Sequence, residues 1–311
     1  MIRLRDGFVI NPDTFWKPAY RISPYTTNYT QINKRIIDQG VIDYDLVNSF
    51  FGQNFYPTLN GRSAIALALN QYDLDPTDEV MITTTSGNRY ISSCVTNEID
   101  KICKWSMKLS NQTKLIFVNH EFGFCYQELE SLKKYGLPII EDRALSFSSN
   151  DKTNSVGNTG DFVIYSLPKF FPVSFGGVLQ CNNPSRMKYL PAKDQQLKSY
   201  FFSLVTNYLQ QTEAIKKARL DNFNYLKGKF MDMGFHPFFE ITDFNIPGVF
   251  MFRTKKMDVN EFKKFMQSNG VESSVFYGEN AFFIPVHQGL CQEDMDFFYS
   301  LTSYFMENGN E

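Results

Sequence analysis

Between Glu79 and Gln180 short apolar stretches alternate with helical ones, and this alternation restricts the fold more than any other feature of the chain. Residues 79–83 (EVMIT), 101–105, 114–118 (KLIFV) and 137–140 read as strands, and 90–97 and 127–135 read as the helices between them. Two more apolar runs follow, Phe162-Val163-Ile164-Tyr165 and Val178-Leu179-Gln180. Strands separated by helices predict an α/β fold with a mostly parallel sheet covered on both faces. Such sheets place ligands beyond the carboxyl ends of their strands.

The flanking segments predict more helix and a second unit. Residues 31–39 and 44–51 read as helices that stop at Gly40 and Gly52. Residues 193–231 form a long charged helical region without proline, with room for one break near its middle. Strands at 248–253, 271–276 and 281–285 and helices at 259–268 and 293–305 then make a compact α+β tail. The expected division is a large domain over 1–210 and a small C-terminal α+β domain over 211–311. Residues 11–30, rich in aromatics, Pro and Thr, read either as an extended arm packed on a partner subunit or as an ordinary loop.

Composition excludes several classes. A net charge of -2 and no long basic run leave no electrostatic footprint for nucleic acid. The five cysteines are scattered without a CxxC pair and there are three histidines, so neither a metal site nor a disulfide frame is expected. Reduced thiols fit the cytoplasm. No apolar run is long enough for a signal core or a bilayer span, so no membrane association is expected.

Four places carry candidate chemistry. Lys169 sits in Ser166-Leu167-Pro168-Lys169-Phe170-Phe171-Pro172, a loop hemmed by prolines and aromatics after an apolar run. A lysine held in an apolar setting can attack a carbonyl, although taken alone it reads more simply as an exposed loop lysine. Asn60-Gly61-Arg62-Ser63 opens an Ala- and Leu-rich helix. Its first-turn amides, hydroxyl and dipole suit a phosphate, and a plain capped helix is the competing reading. The strand ending Ile139-Ile140-Glu141-Asp142 offers a buried carboxylate for a protonated ring nitrogen, or only a cap. Its neighbour ends in Phe117-Val118-Asn119-His120, where His120 is either a cofactor contact or a hydrogen-bonded structural histidine.

The order NGRSAIALAL, DEVMIT, VNHEFG, IIEDRALSF, GDFVIYSLPKFFPVSFGG and IPVHQGLCQEDMDFF resembles the sugar-nucleotide aminotransferases of the DegT/StrS type, from about Phe55 onward. The resemblance implies the pyridoxal-phosphate-dependent transferase fold type I, aspartate-aminotransferase-like, with a seven-stranded type of sheet. It implies that Lys169 is the Schiff-base lysine and that Asp142 pairs with the pyridinium nitrogen of pyridoxal 5'-phosphate. Gly61 and Arg62 would give amides to the phosphate, with Ser63 close by and Ser166 offering a hydroxyl. Tyr90 would stack on the ring, and Asn119 and His120 would run under its edge. The implied activity moves an amino group, from glutamate, to a nucleotide-linked keto sugar in a homodimer. The alternative is a non-catalytic, cofactor-binding or regulatory subunit of the same fold. Departures from the family pattern are Leu145, where a Gln or His is common, the short gap from Ser166 to Lys169, and a partner-subunit phosphate motif matched only weakly by Asn207-Tyr208.

Overall fold

The computed structural model describes residues 18–189, 194–254 and 257–308. The first part of the expected arm and Lys193, at the start of the expected long helix, lie outside them. The chain begins with α1 (Tyr29–Gln39) and α2 (Tyr44–Phe51), the latter capped by Asp43, whose carboxylate accepts from the Leu46 amide. Then come β1 (Phe55–Thr58), α3 (Gly61–Leu69), β2 (Glu79–Thr84), α4 (Ser93–Asp100), β3 (Lys104–Ser106), β4 (Thr113–Asn119), β5 (Ile139–Asp142), β6 (Phe162–Ser166) and β7 (Gly177–Cys181). They are followed by α5 (Gln195–Gln210), α6 (Thr212–Asp232), β8 (Val249–Arg253), α7 (Val259–Ser268), β9 (Ser274–Phe276), β10 (Ala281–Pro285) and α8 (Gln292–Asn308).

The first seven strands form one 7-stranded sheet in the order β1-β7-β6-β5-β4-β2-β3. Neighbours from β3 through β6 run parallel, whereas β7 is antiparallel to both β6 and β1. The expected mostly parallel sheet is therefore the one found. Period-two alternation buries both of its faces. Phe162, Ile164, Phe117 and Ile140 pack with Ala64, Ala68 and Leu69 of α3. Val163, Tyr165 and Val178 pack on the other side with Phe51 of α2 and Phe201 and Val205 of α5. The C-terminal strands make a separate 3-stranded antiparallel sheet, β8-β10-β9, whose core joins Phe223 and Phe230 of α6 to Phe262 and Phe298.

The helical region has the break the sequence left room for, at Gln211, which ends α5 and begins α6. Several boundaries differ from expectation. The helix expected from Tyr90 begins at Ser93, because the Ser92 hydroxyl caps it by accepting from the Cys94 amide. The helix expected over 127–135 is a 3-10 helix over Leu129–Tyr135. The segment before α3, where no strand was expected, contains the short edge strand β1. That strand brings Gly177 of β7 against Asn60: a Cβ on Gly177 would lie 2.4 Å from the Asn60 carbonyl carbon, so only glycine lets the two backbones meet there.

Candidate active site

Parallel register sets the polar tips of the sheet side by side. Asn119 at the end of β4 is paired with Asp142 at the end of β5, and Asp142 in turn with Ile164 of β6. Alternation then sorts them. Asp142 and Asn119 share the side of Ile140 and Phe117, toward α3, where a cleft of about 700 Å³ opens. Glu141 and His120 turn to the opposite side.

The cleft is lined by Gly61, Arg62, Tyr90, Asn119, Asp142, Ser166 and Lys169, so seven of the nine expected positions meet in one place. Lys169 ends the 3-10 turn Leu167–Lys169 that leaves β6. Its loop is fixed from outside: the buried Arg219 guanidinium donates to the carbonyls of Lys169 (3.1 Å) and Phe170 (3.3 Å), and Gln288 donates to Phe170 at 2.9 Å. Phe170 stacks on Phe147 with ring centroids 4.9 Å apart. The backbone is thus held, while the Lys169 amine has no hydrogen bond or ion pair of its own among the described residues.

Asp142 is 5% exposed, and its Oδ1 accepts from the Ala144 amide at 2.8 Å. Burial pushes its carboxyl up to about 6, and the Ala144 hydrogen bond and the Lys169 charge pull it only part of the way back. At the other end of the cleft, α3 begins against β6. A Cβ on Gly61 would stand 3.2 Å from the Ser166 Cβ, so the first turn of the helix and the Ser166 side chain are in close approach. Asn60 caps that helix by accepting from the Ser63 amide at 2.9 Å. The amides of Gly61 and Arg62 have no acceptor among the described residues. Tyr90 lies in the loop before α4, its ring 5.2 Å from Phe276 and 6.1 Å from Tyr277, so the cleft wall joins the two sheets.

Two expected contacts are corrected. His120 is fully buried away from the cleft. Its Nε2 lies 3.3 Å from Glu141 and its Nδ1 accepts from the Tyr126 amide at 3.0 Å. Glu141 also receives the amides of Gly157, Thr159 and Gly160, and these bonds, led by His120, hold its carboxyl below its ordinary value against the burial that would raise it. Adjacent strand residues face opposite ways, so Asn119 and His120 could not both face the cleft; that signal was present in the alternation. Ser63 does not line the cleft either, because its hydroxyl turns back to Asn60 at 3.2 Å.

The structure adds residues that sequence reasoning missed. Glu121, Phe122, Ser92, Ser93 and Cys94 all line the cleft. Arg62 donates to the Cys94 sulfur at 3.1 Å. Burial alone would push that thiol up, but hydrogen bonds from Arg62 and Ser92 and the Lys169 charge hold it below its ordinary value. Leu145 lines the cleft as well, in the place where a polar contact is common in the family it resembles. Among the described residues no group of side chains could hold a metal ion, and no helix is long and apolar enough to cross a membrane.

No family model matches the chain. One curated relative, a dTDP-3-amino-3,6-dideoxy-alpha-D-galactopyranose transaminase of Aneurinibacillus thermoaerophilus, is 31% identical over 128 residues. The match covers 35% of this chain and 34% of the relative, so the chain spans about a third of the length of the curated relative it matches. Solved structures match over nearly the whole chain. The putative sugar aminotransferase Spr1654 from Streptococcus pneumoniae superposes with a TM-score of 0.72 at 14% identity, covering 94% of this chain and 97% of that one. An aminotransferase, TlmJ, from Streptoalloteichus hindustanus gives 0.71 at 14%, covering 91% and 97%. A DegT DnrJ EryC1 StrS aminotransferase from Brucella abortus gives 0.71 at 13%, covering 92% and 99%. The chain thus has the fold of these aminotransferases, the one its motif order implied.

Proposed function

We propose that this protein is a pyridoxal-phosphate-dependent aminotransferase that moves an amino group from glutamate to a nucleotide-linked keto sugar, as in the making of surface polysaccharides or of sugars for natural products. One observation carries the reading. Lys169 and Asp142, from different elements, face a single cleft whose far end is the first turn of α3. The residues present suit the cofactor. Among the described residues the buried Asp142 carboxylate has no cation bonded to it, the Lys169 amine is unengaged, and the Gly61 and Arg62 amides are unclaimed.

Bound there, pyridoxal phosphate would supply an electron sink for the carbanion formed when a proton leaves the amino-bearing carbon. Asp142 places a negative charge where a protonated ring nitrogen is stabilised. Gly61, Arg62 and the α3 dipole would hold the phosphate, with the Ser166 hydroxyl beside them. Tyr90 offers a ring face, and Asn119 an amide beside Asp142. Lys169 Nζ would serve as the base that moves the proton, and the hydrogen bonds of Arg219 and Gln288 to its loop would hold the backbone that carries it.

The transaminase named among the relatives acts on a dTDP-linked sugar, and Spr1654 has been solved in PLP and PMP forms. Both support the choice of cofactor and of substrate class. Lys169 and Asp142 both line the cleft, which supports the catalytic reading, and the non-catalytic alternative is not favoured. The proposal includes a homodimer, with the N-terminal segment at the subunit boundary. It also includes a division after Gln210, supported by the helix break at Gln211 and the separate C-terminal sheet. The five cysteines are free, in keeping with a reducing cytoplasm.

The test is spectroscopic. Cofactor-loaded protein should exchange its pyridoxal band for that of the amino form when glutamate is added, and recover it with one member of a panel of keto-sugar nucleotides. A protein that takes up no cofactor refutes the reading.

A further inference from the structure

Glu121 lines the cleft, yet the chemistry of amino transfer gives it no task; a role for it rests on the aminotransferase assignment. It is 1% exposed and closes a tight turn: its amide donates to the Phe124 carbonyl at 3.1 Å, and the Phe124 amide donates back at 2.7 Å. Between them Phe122 (φ 52) and Gly123 (φ 97) both have left-handed backbones, as a primed hairpin turn requires. A Cβ on Gly123 would come 2.1 Å from the Ile246 carbonyl, so the turn is wedged in place by the chain leading into β8. The carboxyl therefore projects from a rigid base.

Only half of that carboxyl is engaged. Oε2 accepts from the Ser86 amide at 2.6 Å, whereas Oε1 is buried and has no partner among the described residues. A buried polar atom left in this way is costly, and in a ligand cleft it marks a partner still to arrive. The surroundings narrow the chemistry of that partner. Tyr90, Phe122, Leu145 and Phe283 give an apolar, largely aromatic wall, whereas the cations that line the cleft are Arg62, on the α3 first turn, and Lys169, whose charge acts on Asp142. A phosphate is drawn to the cationic groups and repelled by a carboxylate. The aromatic wall instead suits the C–H face of a sugar ring, whose hydroxyls need polar partners at the edge. A hydroxyl also suits Glu121 in either protonation state, since it can donate to a carboxylate or accept from a carboxylic acid.

We infer that Glu121 is a specificity-determining residue for the sugar, with Oε1 binding a ring hydroxyl while the ring lies against Tyr90 and Phe122. The test uses wild type, Glu121→Gln and Glu121→Leu loaded with pyridoxal phosphate and titrated calorimetrically. The probes are dTDP, UDP and GDP, each alone and as its glucose conjugate, and the quantity read is the ratio of the two Kd values. For the preferred nucleotide, wild type should bind the conjugate more tightly, and Glu121→Leu should lose about ten-fold or more of that increment while the free nucleotide changes less than about two-fold. Glu121→Gln, which can still accept from Ser86, should retain part of it and serves as the deciding variant if Glu121→Leu does not fold.

An unchanged increment in a variant with wild-type Tm and cofactor band overturns the inference. So does a parallel loss for nucleotide and conjugate, or a wild type without any sugar increment. A wild type that lacks the cofactor band refutes the aminotransferase reading itself, so the two failures are told apart by absorbance before any titration.

Discussion

Replacing Asp142 by Asn should make the cofactor-free protein more stable and the enzyme much worse. Asp142 is 5% exposed, and burial lifts its carboxyl from 3.8 to about 6, opposed only in part by the Ala144 amide and the Lys169 charge. The folded chain therefore binds a proton more tightly than the unfolded one. Stability is lost as pH rises from about 4 through about 6, the opposite of a salt-bridged acid. The gap of about two pH units corresponds to about 3 kcal/mol of destabilisation at pH 8, and to about half of that at pH 5. Asn keeps an oxygen for the Ala144 amide and carries no charge. Cofactor-free Asp142→Asn should consequently melt about 3–6 °C above wild type at pH 8, with the gap shrinking toward pH 5. With the cofactor bound as proposed, the same change would remove the charge that Asp142 sets against the ring nitrogen, and glutamate turnover should fall about a hundred-fold or more. Scanning fluorimetry across pH and a single-turnover glutamate assay read the two effects. A variant less stable than wild type at pH 8 would refute the reasoning, because Asp142 would then be a satisfied structural anion rather than one held in reserve for a ligand.

Lys169→Ala should abolish borohydride-dependent fixing of the cofactor and its conversion by glutamate, and intact-protein mass reads the first directly. Mass remaining fixed at another lysine would place the attachment elsewhere. His120→Asn should cost about 2 kcal/mol, because Glu141 loses one partner but keeps three amides, and should leave cofactor affinity within about two-fold. A large loss of cofactor binding with little change in melting would return His120 to the site. Light scattering should give a dimer at micromolar concentration, and a fully active monomer would contradict the proposed subunit boundary.

Much of the fold was legible because burial repeats along the chain. Alternating β and α stretches, caps and glycine stops located α2 and α7 and most of the strands, since a residue's facing in a regular element follows from its spacing alone. The same periodicity separated Asn119 from His120, although motif order had grouped them. Ends set by a single side chain were less legible: the Ser92 cap moved the start of α4 past Tyr90, and β1 formed only because β7 was there to pair with it. Motif order also brought Lys169, Asp142 and Gly61 under suspicion together, but it could not say what else joins them.

Glu121 and Cys94 are unremarkable in sequence. Glu121 is remote from the loop of Ser86 that claims half its carboxyl, and Cys94 is remote from Arg62, which bonds its sulfur. Their surroundings come from the parallel register of the strands and from the turn wedged against Ile246. Local sequence sets which way a side chain faces, because that depends on neighbours a few residues away. Only the closed sheet decides which charges share a cleft and which buried oxygen is left without a partner, because those depend on segments that meet solely through the fold.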